Sequence, residues 1–190
     1  MNHMQDEDRG FQLEEKIDKM NVGIRLLSEG FMQAYIDFFY LTNGTTPSAI
    51  QPSDRLKEEQ KLNKEIKIEP EQTPDYLTRI SDALMKGELH WRNQEDRDCF
   101  NVYEKMAQQF AGYRDYETAS YFHERCLEIS IEFKNIEGEA QAHRGLGICE
   151  EKVYNKFEAM HHLETALQKA KTGEKYEVEK IISKDLVRVY

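Results

Sequence analysis

Apolar residues recur at helical spacing over most of the chain. In residues 11–42, Ile24, Leu27, Phe31, Ala34, Tyr35, Phe38 and Leu41 follow one stripe. That pattern predicts one long N-terminal helix. Leu26, Ile36, Phe39 and Tyr40 lie off the stripe. A helix that is apolar on more than one side wants more than one neighbour. It is either a core helix of this domain or a helix that docks a partner, and docking is the expectation carried forward. Arg25, Glu29 and Asp37 interrupt the segment, so it does not read as a membrane span.

The pattern lapses between residues 43 and 74. All four prolines, Pro47, Pro52, Pro70 and Pro74, fall there or at its edge, and the charged piece between them has few apolar residues. Such a segment reads as a linker. Residues 75–190 contain no proline and are helical in pattern throughout. A short first helix covers "TPDYLTRISDALMKG", and "ELHWRNQEDRD" looks polar and irregular. Helices are predicted at about 98–111, 115–134, 138–152, 155–171 and 175–190. Gly87, Gly112, Gly138 and Gly173 are the expected breakers.

The helices repeat. Met106 corresponds to Leu146, Ala107 to Gly147, Ala119 to Ala159 and Cys126 to Ala166, each pair 40 positions apart. Asp115 and Asn155 occupy matching N-cap places, and Asn155 has Glu158 three residues on, a partial capping box. Leu186 opens a third copy. Small residues at fixed places let antiparallel helices approach closely, while larger residues fill the flanking grooves. A fixed period of this kind marks a helical solenoid. The last helix carries Val187 and Val189 near its end, where a terminal solenoid helix should present a polar face, so a partner or further chain is expected to cover it.

These residues carry a resemblance. "AHRGLGICEEKVYNKFEAMHHLETAL" resembles a tetratricopeptide repeat, with Leu146-Gly147, Ala159, Leu163 and Ala166 at that repeat's key places. The copy before it has Met106-Ala107, Ala119, His123 and Cys126, and the half-copy after it has Leu186-Val187 and Tyr190. The period exceeds the usual ~34 residues, and the closing proline is absent. With "LLSEGFMQAYIDFF" and "DYLTRISDALMKG" upstream, the blocks over about 20–42 and 75–172 are similar to the N-terminal half of an axonemal tetratricopeptide repeat family of motile cilia and flagella. That family continues with more repeats.

The expected organisation is therefore all-α. A disordered acidic tail spans 1–10, an N-terminal docking helix 11–42, a proline-containing linker 43–74 and a tetratricopeptide-like solenoid 75–190. The resemblance implies a non-enzymatic scaffold of the axoneme, supporting dynein-arm or regulatory-complex attachment within a large hetero-complex. The alternative is a soluble cytosolic adaptor for dynein preassembly or ciliary transport. Either would reside in the cytoplasm before assembly. The implied partners are protein segments, helical or extended, on the inner face of the solenoid. That face takes Asn101, Glu104 and Gln108 from the first copy. Gln141, Arg144, Ile148 and Glu151 come from the second, and Ile181, Lys184 and Arg188 from the third. Chaperone-binding relatives share a clamp of Lys, Asn and Arg. The matching places here hold Glu104, Gln108, Gly145, Ile181 and Asp185, so capture of a chaperone tail is not expected.

Charge and chemistry narrow the picture further. The net charge is −10 without a basic stripe, which argues against nucleic acid and anionic membranes as partners. The start "MNHMQDEDRG" is acidic and has no apolar run, so no secretory signal is read. Cys99, Cys126 and Cys149 form no C-x-x-C pair and read as reduced cytosolic thiols. Glu158-x-x-His161 has the spacing used in di-metal bundles. None of His3, His90, His123, His143 or His162 has a glutamate three residues before it, so no second motif completes a site. Glu139 and His143 could share a helix face as a surface pair, and His123 occupies a bulky packing place. No catalytic motif, phosphate cradle or small-molecule site is evident, and no cofactor or metal is expected.

Overall fold

The computed structural model describes residues 17–43 and 70–190. The expected tail at 1–10, the first part of the N-terminal helix at 11–16 and, of the linker expected at 43–74, residues 44–69 lie outside the described residues. Every regular element among the described residues is an α-helix: α1 Lys19–Ser28, α2 Met32–Asn43, α3 Pro74–Arg92, α4 Asp96–Gly112, α5 Tyr116–Glu132, α6 Ile136–Lys152, α7 Lys156–Thr172 and α8 Tyr176–Val189. No helix among them is long and apolar enough to cross a membrane.

From α3 onward the helices are joined by three-residue turns of one design. Gln94, Arg114, Lys134, Tyr154 and Glu174 all adopt positive φ, between 54° and 63°. In each turn two backbone N–H groups reach back to the orphan carbonyls of the preceding helix. At the first turn, Glu95 N donates to His90 O at 2.9 Å and Gln94 N to Trp91 O at 3.0 Å. The same pair recurs at Asp115/Arg114, Asn135/Lys134, Asn155/Tyr154 and Lys175/Glu174. These are Schellman ends, and their two bonds offset the left-handed strain of about 1–2 kcal/mol in a non-glycine residue.

Two of the four glycines expected to break helices lie inside them, and two stand at helix ends. Gly87 lies inside α3, where Tyr103 of α4 packs on it, and Gly138 lies in the first turn of α6. Gly112 ends α4 and Gly173 caps α7, neither at a positive-φ turn position. The "ELHWRNQEDRD" stretch is also regular rather than irregular. Glu88–Arg92 completes α3 and Asp96 opens α4. The helix is set from its start by Thr73, whose side chain accepts from Tyr76 N, and by Pro74 at the first helical position.

The single N-terminal helix is corrected to two. Gly30, at φ 83°, reverses the chain, and Phe31 N donates to Leu26 O at 2.8 Å. The break resets the helical phase, so the apolar stripe read through residues 24–41 is not one face. Val22, Leu26, Ala34 and Phe38 enter the main core, while Ile24 and Leu27 stay 57% and 40% exposed. One face of the segment thus belongs to the core, while Ile24, Leu27, Ile36 and Phe39 remain exposed. Glu88 of α3 holds the start of α2, accepting from Ala34 N at 2.8 Å. Arg92 donates to Gly30 O and to Glu88, and its guanidinium lies 5.1 Å over the Phe31 ring.

Each helix from α3 to α8 packs on its neighbours in sequence, and α4, α6 and α8 also touch one another in a row. Ala107, Ala119, Cys126, Ala159, Leu163 and Ala166 are fully buried, as the spacing requires. Asn155 stands at the N-cap of α7 but does not cap through its side chain. Its amide donates instead to Glu150 at 2.8 Å, so the expected capping box does not form. At the end of α8, Val189 is 7% exposed and Val187 79% exposed, so only Val187 fits the expectation of an uncovered apolar face.

Candidate functional site

The row of α4, α6 and α8 lines a groove of about 580 Å³. Six of the ten residues predicted for the inner face meet there: Glu104 and Gln108 from α4, Gln141, Arg144 and Ile148 from α6, and Ile181 from α8. They converge because helices joined by equal turns bring every second helix to the same side. The other four border it differently. Asn101 is exposed on α4, one turn before Glu104, and Lys184 is exposed on α8. Glu151 and Arg188 pair with each other instead, with Arg188 Nε donating to Oε1 at 2.7 Å and Nη2 to Oε2 at 2.5 Å.

Charges tie the rim of the groove. Arg144 Nε donates to Asp185 Oδ2 at 2.6 Å, and Arg188 Nη1 lies 3.4 Å from Asp185 Oδ1. Asp185 is buried, so this pair and the Arg188–Glu151 fork fix the spacing of α6 and α8. Ile148, Val178 and Ile181 supply the apolar part of the wall. The groove thus combines apolar side chains with hydrogen-bonding and charged groups.

His123, Tyr116, Val178 and Lys152 also line it and were missed as groove residues. Tyr116 and His123 belong to α5, which the repeat register assigns to the outer row. Val178 shares a helix face with Ile181, so the three-residue spacing in α8 could have found it. His123 reaches the groove because Gly145 leaves room for it. A Cβ at Gly145 would collide with the imidazole. Burial, helped by the charge of Arg144, pushes the His123 pKa down to about 4, so the ring is neutral at pH 7.

Cys149 also faces the groove. Burial pushes its thiol up to about 12, and burial raises Cys99 to about 12 and Cys126 further still. These groups are thiols rather than thiolates and pack as small apolar side chains.

A second polar cluster joins the N-terminal hairpin to α5. Asp37 is fully buried, and its Oδ1 accepts from Gln33 Nε2 at 2.8 Å and from Tyr121 Oη at 2.5 Å. Burial raises the Asp37 pKa, against the hydrogen bond from Tyr121 and the charge of Arg125. At the turn between α3 and α4, His90 Nδ1 and Glu95 Oε2 lie 2.5 Å apart, and Asp98 is within ligand distance of both. The carboxylates there sit in the turn and first helical turn, where they favour the positive N-terminus of α4. In the Glu158-x-x-His161 motif, His161 is exposed and Glu158 half-buried on α7.

No protein-family model matches the chain, and no curated protein matches it.

Proposed function

We propose that this chain is a non-enzymatic protein-interaction scaffold, built as a tetratricopeptide-like helical array, whose groove receives a helical or extended segment of a partner protein. The observation that carries this reading is the convergence of Glu104, Gln108, Gln141, Arg144, Ile148 and Ile181 on one cavity. Residues drawn from three helices supply apolar surface beside hydrogen-bonding and charged groups. Burying the open parts of Ile148 and Ile181 would contribute about 1–3 kcal/mol, a large share of a micromolar affinity.

The partner class rests on the sequence resemblance alone. We propose subunits of the axonemal dynein arms or of a regulatory complex, with the chain held on the axoneme inside a hetero-complex. The test is co-sedimentation of purified chain with demembranated, salt-washed axonemes. The wild-type chain should pellet saturably, and the double variant Ile148→Glu, Ile181→Glu should lose at least about tenfold in affinity with an unchanged melt. Equal pelleting of wild type and variant would remove the groove from the interaction. Failure of the wild-type chain to pellet would remove the axonemal partner.

A further inference from the structure

Facing sides of α6 and α7 bring two imidazoles together away from the groove. His143 Nδ1 and His162 Nδ1 lie 3.2 Å apart, and their ring centroids are 5.4 Å apart. Both residues are half-buried. Their helices cannot drift apart easily, because α6 and α7 meet closely at Gly147 against the fully buried Leu163, one turn beyond each histidine or beside it.

A separation of 3.2 Å matches two ligands of one ion. With metal–nitrogen bonds of about 2.0–2.1 Å, it subtends about 100° at the metal, close to the tetrahedral angle. Burial, then the charges of His162 and Lys169, pushes His143 down to about 4, against the opposing charge of Glu139. Burial and His161 lower His162, against Glu158. An imidazole Nδ1 that carries no proton keeps a lone pair for a metal. Without an ion, one Nδ1 donates its proton to the other. With an ion, the donating ring carries its proton on Nε2 and both Nδ1 atoms face the metal.

One carboxylate acts on each ring, Glu139 on His143 and Glu158 on His162. Glu139, one turn before His143, is buried and paired with Lys169, a neutral pair overall. Glu158 stands one turn before His162 on the same helix. A third imidazole, His161, is exposed, with its ring 5.7 Å from that of His162.

We infer that His143 and His162 form an interhelical site for a divalent transition ion, of the Zn²⁺, Ni²⁺ or Cu²⁺ class, with two protein nitrogens and open positions left for water or a partner's donor. Imidazole nitrogens suit these ions and not Ca²⁺ or Mg²⁺, which take oxygen ligands. An ion held there would clip α6 to α7 and stabilise the fold by mass action.

The test uses the full chain, stripped with a chelator and titrated calorimetrically with ZnCl₂ and NiCl₂. Saturable binding near one equivalent is expected, with a rise in melting temperature that Ca²⁺ and Mg²⁺ do not produce. His143→Ala and His162→Ala should each weaken binding by more than about tenfold. Because either alanine could loosen the helix pair, the wild-type chain is also followed by imidazole ¹⁵N chemical shifts. Both rings should move together on adding Zn²⁺. Absence of saturable binding, binding that survives both alanine variants, or shifts confined to other histidines would overturn the site.

Discussion

Gly147→Ala should destabilise the protein, although alanine is the better helix former. Gly147 lies in the interior of α6, and a Cβ there would sit 2.7 Å from Leu163 Cγ and 3.1 Å from the carbonyl oxygen of Ala159. Carbon atoms prefer about 3.5–4.0 Å. Leu163 is fully buried, so its branch carbon cannot swing away, and the Ala159 oxygen belongs to the backbone of α7. The helices must therefore part. Replacing glycine by alanine in a helix gains about 0.8–1.0 kcal/mol. Overpacking a tight contact costs about 1–3 kcal/mol. The net expectation is a loss of up to about 2 kcal/mol, which lowers the melting temperature by several degrees for a chain of this size. Gly112→Ala supplies the matched control. Gly112 ends α4, is exposed, and a Cβ there meets nothing within 4 Å. That variant should gain a few tenths to about 1 kcal/mol. Thermal and urea unfolding followed by circular dichroism measure both. If Gly147→Ala stabilises as Gly112→Ala does, the close approach of α6 and α7 is wrong, and with it the role given to small residues in the repeat.

Acid should destabilise the fold through its half-buried histidines. The folded pKa of His123 is about 4 against an ordinary 6.5, so the stability it carries is complete above pH 6.5 and is lost as pH falls toward 4. His143 and His162 shift in the same direction. Each such proton steepens the acid limb by up to about 1.4 kcal/mol per pH unit. His123→Phe keeps a ring over Gly145 without a titrating group, so urea unfolding between pH 7.5 and 4.5 should show a shallower slope, and an unchanged slope would refute the assignment. Glu88→Ala removes the carboxylate that accepts from Ala34 N and Arg92. It should cost about 0.5–2 kcal/mol, as loss of a helix cap does, and speed amide exchange in residues 32–43 first. Uniform acceleration across α3–α8 would instead place the N-terminal hairpin inside the cooperative core.

Much of the fold was legible locally. Apolar spacing located the helices from Phe100 to Val189 within a few residues, and small residues 40 positions apart marked where helices pack: Ala119 and Ala159, Cys126 and Ala166. Six of the residues that the resemblance placed on an inner face line one groove, because α4, α6 and α8 lie side by side. What local patterns could not carry was phase across a break and contact across a turn. The stripe from Ile24 to Leu41 looked continuous, yet Gly30 rotates one half against the other, and burial of Leu26 rather than Leu27 follows from where α3 lies. The turns were sought at glycines but formed at Gln94, Arg114, Lys134, Tyr154 and Glu174, where two backbone bonds outweigh side-chain preference.

The sequence by itself determined the helical character of the described residues and, from α4 to α7, the side of each helix that packs, since those depend on spacing along one backbone. Only the tertiary structure decided which side chains meet from different helices. It placed His123 over Gly145, Asp185 against Arg144, and His143 beside His162, positions 19 to 41 residues apart in the chain. Such meetings depend on how closely two backbones approach, and that distance is set jointly by residues on both helices.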